Sequence, residues 1–233
     1  MTLTIDVQRL KPIAVVLFVA LICGSTAMAG TISACAAGSG GPTPGNTIFP
    51  VDCTGSTSGT LLAFMSQSFS YHTTAGTNSG FVYSAVYNDG GTLDFYYQVV
   101  NSSTSATALA RMTANTFTGF TTNSAFIANG HTLGGTSFVD GTVMPVTSDS
   151  TGAVIGFSFY PVITDEIQPG QESNVLIIST NAKSYSNGNA AIIDGGSTFV
   201  NAFQPTGVPE PATLGLLGLG LIGVASLRRR IRS

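Results

Sequence analysis

Two histidines, nine interior acids, four clustered tyrosines and two interior cysteines are the groups whose types and spacing bear on chemistry in this chain. Nucleophilic catalysis of the Ser–His–Asp kind needs a histidine beside both a nucleophile and a carboxylate. His72 sits in a run of strand character (SFSYHTT) and His131 follows Asn129-Gly130 in a turn, so both read as surface histidines. Gly55-Ser56-Thr57-Ser58-Gly59 has the outline of a nucleophile elbow, but its centre is Thr57 and no strand and helix flank it, which makes it a loop. Glycoside hydrolysis needs two facing carboxylates. Asp165 and Glu166 are adjacent, so on a strand they would diverge and on a turn both would be solvated. Asp89 lies in a turn and Asp94 on the outward face just after it, closer to a weak calcium site than to a catalytic pair, with turn-forming Asp the plainer reading. Tyr83, Tyr87, Tyr96 and Tyr97 would form a platform for sugar rings if they point outward, and core or cross-strand pairs if they do not; packing is favoured. No catalytic, cofactor-binding or metal-ligating residue is assigned, and no phosphate-cradling loop occurs.

Cys35 and Cys53 stand in a Gly-, Pro-, Ser- and Thr-rich stretch. In an exported chain they most simply form one disulfide, closing a loop of about 18 residues and stabilising by about 3 kcal/mol; two unpaired thiols are the alternative. Two sulfurs without nearby histidine leave metal coordination incomplete.

The elements that must position these groups are strands. Phe81 to Tyr87 and Thr92 to Val100, joined by Asn88-Asp89-Gly90-Gly91, read as a β-hairpin. In the second run Leu93, Phe95, Tyr97 and Val99 share one face, while Thr92, Asp94, Tyr96 and Gln98 share the other, as a half-buried strand requires. Further strands are expected at 67–72, 108–117, 124–128, 136–139, 142–146, 153–160, 174–179, 190–193 and 198–203. No apolar pattern of helical period runs for three turns, and no fixed repeat is visible. The expected fold is all-β, an antiparallel β-sandwich of jelly-roll-like or Ig-like kind, with a closed barrel as runner-up.

Charged residues make up 8% of the chain, so solubility rests on hydroxyls and amides. Between Gly30 and Thr206 the cations are Arg111 and Lys183 against nine acids, 2 minus 9, a net of −7. A nucleic-acid surface needs clustered Lys and Arg, which this segment lacks.

Both ends differ from the middle. Residues 1–29 follow the plan of a secretory signal: Arg9 and Lys11, an apolar run from Ile13 to Ile22, then Ala27-Met28-Ala29 before Gly30, where signal peptidase is expected to cut after Ala29 once the secretion translocon has engaged. The apolar run is too short for the roughly 20 residues of a retained anchor. A lipoprotein site at Cys23 is disfavoured because Ile22 stands where a small residue belongs. The chain thus divides into a signal helix (1–29), a loop-rich segment (30–60), a β-sandwich domain (61–206) and a tail (207–233).

The tail reads Val208-Pro209-Glu210-Pro211, an uncharged apolar run from Ala212 to Leu227, and Arg228-Arg229-Arg230-Ile231-Arg232-Ser233. The prolines fix an extended stop, the apolar run covers about 24 Å as a transmembrane helix, and the basic tail stays cytoplasmic. This arrangement resembles the PEP-CTERM sorting signal of Gram-negative, exopolysaccharide-producing bacteria. The resemblance implies an exosortase as partner, with Pro209, Glu210 and Pro211 as its substrate, and a protein held in the cytoplasmic membrane by its last helix, then moved to the cell surface or beyond. A permanent anchor with a chance triplet is the bland alternative. The implied function is a non-enzymatic envelope or matrix component associated with exopolysaccharide and biofilm. A carbohydrate- or calcium-binding module is the alternative, a hydrolase lacks its residues, and ice binding lacks a regular Thr-x-Thr ladder.

Overall fold

The computed structural model describes residues 41–54, 59–160 and 165–207. Twelve strands form two six-stranded sheets. The first holds, in spatial order, β1 (Thr47–Ile48), β8 (Thr147–Ser150), β9 (Ile155–Ser158), β6 (Arg111–Ala114), β11 (Ser184–Ile193) and β12 (Ser197–Thr206). The second holds β2 (Val51–Asp52), β7 (Thr122–Ile127), β10 (Val175–Thr180), β5 (Thr92–Asn101), β4 (Gly76–Asp89) and β3 (Thr60–Thr73). Neighbours are antiparallel except β2 and β7, which are parallel. Six strands per sheet exceed what either the jelly-roll or the Ig-like arrangement holds.

Alternating apolar residues build the core between the sheets. Phe95, Tyr97, Leu176 and Ile178 come from the second sheet, and Met112, Phe157, Ile192 and Ala202 from the first. Hydrogen bonds stitch the layers, among them those from the Tyr97 hydroxyl to the Phe203 carbonyl at 2.6 Å, from the Phe203 amide to Ser84 Oγ at 3.0 Å, and from Ser148 Oγ to Ser124 Oγ at 2.8 Å. Buried polar atoms paired in this way avoid the penalty of desolvation without a partner.

The hairpin between β4 and β5 turns through Gly90 and Gly91 alone, with φ of 58° and 88°; Asn88 and Asp89 belong to β4. Two successive positive φ values are what a tight primed turn demands. On the first sheet's outer side, Arg111 makes a bidentate pair with Asp149 at 2.6 and 2.7 Å and donates to Ser158 Oγ. Gly156 makes room for it, since a Cβ there would lie 1.9 Å from the guanidinium.

Several expectations need correction. The runs 136–139 and 142–146 form no strands; they belong to a segment that crosses the outside of the second sheet, bridged only at Asp140 to Asn129 and Val143 to Ser173. The strand expected at 108–117 is confined to Arg111–Ala114, β8 was not anticipated, and β3, β4, β11 and β12 are longer than expected. The loop-rich segment contributes β1 and β2, and Thr60 already opens β3. Among the described residues no helix is long and apolar enough to cross a membrane. The expected signal helix and transmembrane helix lie outside the described residues.

Candidate functional site

The second sheet is buried on both sides at its centre, because β10 and nearly all of β5 are inaccessible. Its inner face meets the first sheet, while its outer face carries Ala85, Tyr87, Tyr96, Ala125, Ile127, Val175 and Ile177 under Leu133 and Phe138. The covering segment is clamped by one side chain. Gln98 accepts from the Val139 amide at 3.0 Å and donates to the Val139 carbonyl at 2.8 Å, so its amide stands in for a neighbouring strand. Gly130 lets the segment approach, since a Cβ there would come within 2.2 Å of the Val139 carbonyl oxygen.

This overturns the outward placement of Asp94, Tyr96 and Gln98, which are 1%, 0% and 0% exposed. At the turn end of this face, register sets Tyr87 opposite Asp94 and Asp94 opposite Ser179. The Tyr87 and Tyr96 rings meet at 4.5 Å. The Tyr96 hydroxyl and Asp94 Oδ1 are buried without a hydrogen-bond partner, Ser179 Oγ lies beside the Asp94 carboxyl, and Thr136 lies beside the Tyr87 hydroxyl. Burial pushes the Asp94 carboxyl up to about 7; the nearby Ser179 hydroxyl and Thr180 amide offset part of this, and Asp89's charge adds to it. The Tyr87 hydroxyl is pushed up to about 12, and that of Tyr96 also upward, both by burial first. A carboxyl half-protonated near neutrality suits proton transfer, but at 1% exposure this one is closed to solvent. Its effect falls on stability.

At the other end the covering stops and aromatic rings come to the surface. Phe81, 43% exposed, lies 6.4 Å from Tyr83 with the rings 18° apart. Tyr83 continues to Phe64 at 6.0 Å, and both touch Phe138 at 6.4 and 5.7 Å. Ser66 and Ser68, opposite Tyr83 and Phe81 in the β3–β4 register, are exposed beside them. The strip therefore offers ring faces next to uncharged hydroxyls. Of the four tyrosines considered for such a platform, only Tyr83 contributes; Tyr87 and Tyr96 lie in the outer core and Tyr97 between the sheets. Phe64 and Phe81 complete it, and their shared face becomes readable only once β3 is known to pair with β4.

The remaining candidates are dispersed. His72 Nδ1 contacts Thr77 Oγ1 at 2.9 Å on the exposed hairpin. His131 pairs with Asp140, whose carboxyl that contact holds below its ordinary range. Asp165 is exposed and Glu166 buried, although neither lies on a strand; in such a turn-like stretch both would be expected to be solvated. Among the described residues no group of three or more His, Cys, Asp or Glu could hold a metal. Cys53 is 2% exposed and packs in the outer core. Its expected partner Cys35 lies outside the described residues, as do Ala27, Ala29, Gly30, Val208, Pro209, Glu210, Pro211, Arg228, Arg229, Arg230, Arg232 and the Thr57 loop.

No curated protein and no solved structure matches this chain. One family model does, the PEP-CTERM protein-sorting motif, over residues 207–230. That span holds the proline-flanked Glu210, the apolar run and three arginines, so the chain carries a PEP-CTERM sorting domain and is an exosortase substrate.

Proposed function

We propose that this is a non-enzymatic component of the cell envelope or extracellular matrix, delivered by exosortase processing and associated with the exopolysaccharide of its host. The sorting motif at 207–230 carries the proposal, since it commits the chain to export and to membrane anchorage before processing. A sandwich that is soluble through Ser, Thr and Asn suits a hydrated polysaccharide matrix, where hydroxyls and amides exchange hydrogen bonds with sugars at little desolvation cost.

A second reading, a carbohydrate-binding module, is favoured by the Phe64–Tyr83–Phe81 strip. Phe81→Ala and Tyr83→Ala are each expected to weaken binding to the host's own polysaccharide by about tenfold, as loss of one ring contact implies, with the melting temperature nearly unchanged. Co-sedimentation with purified polysaccharide measures this. Full binding in the double variant would remove the module reading and leave a purely structural one.

Cys35 is the proposed partner of Cys53. Cys53→Ser, or reduction, is expected to cost about 3 kcal/mol, or about 6–12 °C in melting temperature for a domain of this size. Thermal unfolding that ignores reductant would contradict the pairing.

A further inference from the structure

The two sheets end in four edge strands, and three of these edges are blunted. β1 and β2 are two residues long each. At β12 the Phe203 amide donates to Ser84 Oγ and the Phe203 carbonyl accepts from the Tyr97 hydroxyl, so that edge is turned into the sandwich; Pro205, two residues on, has no N–H to offer. β3 is the exception. It runs for 14 residues, Thr60–Thr73, without Lys, Arg, Asp, Glu or Pro. Its one irregularity is the bulge between Leu61 and Ala63, and from Ala63 to Thr73 the register with β4 is unbroken.

The free peptide groups of β3 follow from those of β4. The Thr77 and Ser79 carbonyls accept from the Ala106 and Ser102 amides, and the Ser79 amide donates to Ser105 Oγ, all from the chain that follows β5. Peptide groups alternate sides along a strand, so odd-numbered β4 residues face β5 and even-numbered ones face β3. The partners of those even residues are odd: Met65 with Ser84, Gln67 with Val82, Phe69 with Gly80. The amides and carbonyls of Phe64, Ser66, Ser68 and Ser70 therefore point away from the sheet, and no backbone hydrogen bond among the described residues engages them. His72, next in the series, has its carbonyl beside the β11–β12 turn, where a Cβ on Gly196 would lie 3.2 Å from it.

A row of unpaired N–H and C=O groups is a template for another strand. Two features fit it to a second copy of this chain. In an antiparallel pair related by a two-fold the same segment faces itself, so any charge would meet its like; β3 has none in a segment of net charge −7, and β4 carries only Asp89, at its far end. With the two-fold beside Gln67, Ser66 stands opposite Ser68 and Phe64 opposite Ser70, so each free residue meets another free residue and every such pair exchanges two hydrogen bonds. The exposed serines are small enough for the backbones to approach.

We propose that β3 pairs with β3 of a second copy, antiparallel about a two-fold beside Gln67, and joins the two second sheets into one. Pairing would bring two Phe64–Tyr83–Phe81 strips onto one continuous sheet. The pairing stands whether or not that strip binds glycan.

Sedimentation velocity of the processed protein recovered from the host's culture medium tests this. At about 100 μM the native protein should sediment as a dimer that dissociates on dilution. Ser68→Pro spares the β3–β4 ladder, which the Ser68 N–H does not join, and removes one interface hydrogen bond per protomer; the dissociation constant should rise by about tenfold or more. Ser68→Lys sets like charges diagonally across the two-fold and should act in the same sense. If Ser68→Pro fails to fold, Ser68→Lys decides alone. Asn201→Lys, which adds the same charge to an exposed position of β12, should leave the native dissociation constant unchanged. A native protein that is monomeric at about 100 μM, undiminished association in either folded Ser68 variant, or an equal loss in Asn201→Lys would overturn the assignment.

Discussion

Glu210→Ala is expected to leave the chain full-length in the membrane fraction and to cut the amount released by about tenfold or more, as when a site built to bond a polar group meets an analogue lacking it. The expectation rests on the sequence alone: Glu210 stands between Pro209 and Pro211, a triplet within the matched sorting motif. On this reading the apolar run from Ala212 to Leu227 would hold the unprocessed chain in the bilayer, with the arginines behind it opposing withdrawal. Deleting residues 208–233 should act in the opposite sense, with the domain leaving the membrane fraction unprocessed. Fractionation and immunoblotting of the host separate the two. Release of Glu210→Ala at the native level would show that the triplet is not what the enzyme reads.

Asp94→Asn is expected to stabilise the domain at pH 8 by about 2–4 kcal/mol, raising its melting temperature by about 4–16 °C. The Asp94 carboxyl is pushed up to about 7 by burial, against an ordinary value of 3.8. A group with a raised folded-state pKa binds its proton more tightly when folded, so its contribution is complete below about 3.8 and is lost as pH rises toward 7. About three units at 1.36 kcal/mol each set an upper bound of about 4 kcal/mol on that loss. Asparagine keeps the shape and carries no charge. Its amide can still hydrogen-bond to the Ser179 hydroxyl beside it. Melting curves from pH 4 to 8 should therefore slope downward for the native chain and lie flatter for the variant. Equal slopes would mean that Asp94 is ionised and solvated when folded.

Legibility followed locality. The β4–β5 hairpin could be read from alternation and the Gly90-Gly91 turn, because both are properties of adjacent residues. The fate of β5's second face could not. Asp94, Tyr96 and Gln98 look like a solvated face by type, and only residues 128–146, folding back through the Gln98 clamp, bury it. Phe138 misled for the same reason: its apolar neighbours mimic a strand, whereas it plugs the outer core. The insertion of β10 between β5 and β7 places Ser179 beside Asp94, and no spacing rule reports it. The sorting tail was readable in full because an enzyme recognises it as a linear segment, without help from tertiary packing.

Mass spectrometry of both termini of the protein recovered from the host's surface and culture medium tests the central claim most directly. Processing by signal peptidase and exosortase predicts a chain that begins at Gly30 and ends close to the Pro209–Pro211 triplet. A soluble species that starts at Met1, or that still carries Arg232 and Ser233, would contradict it.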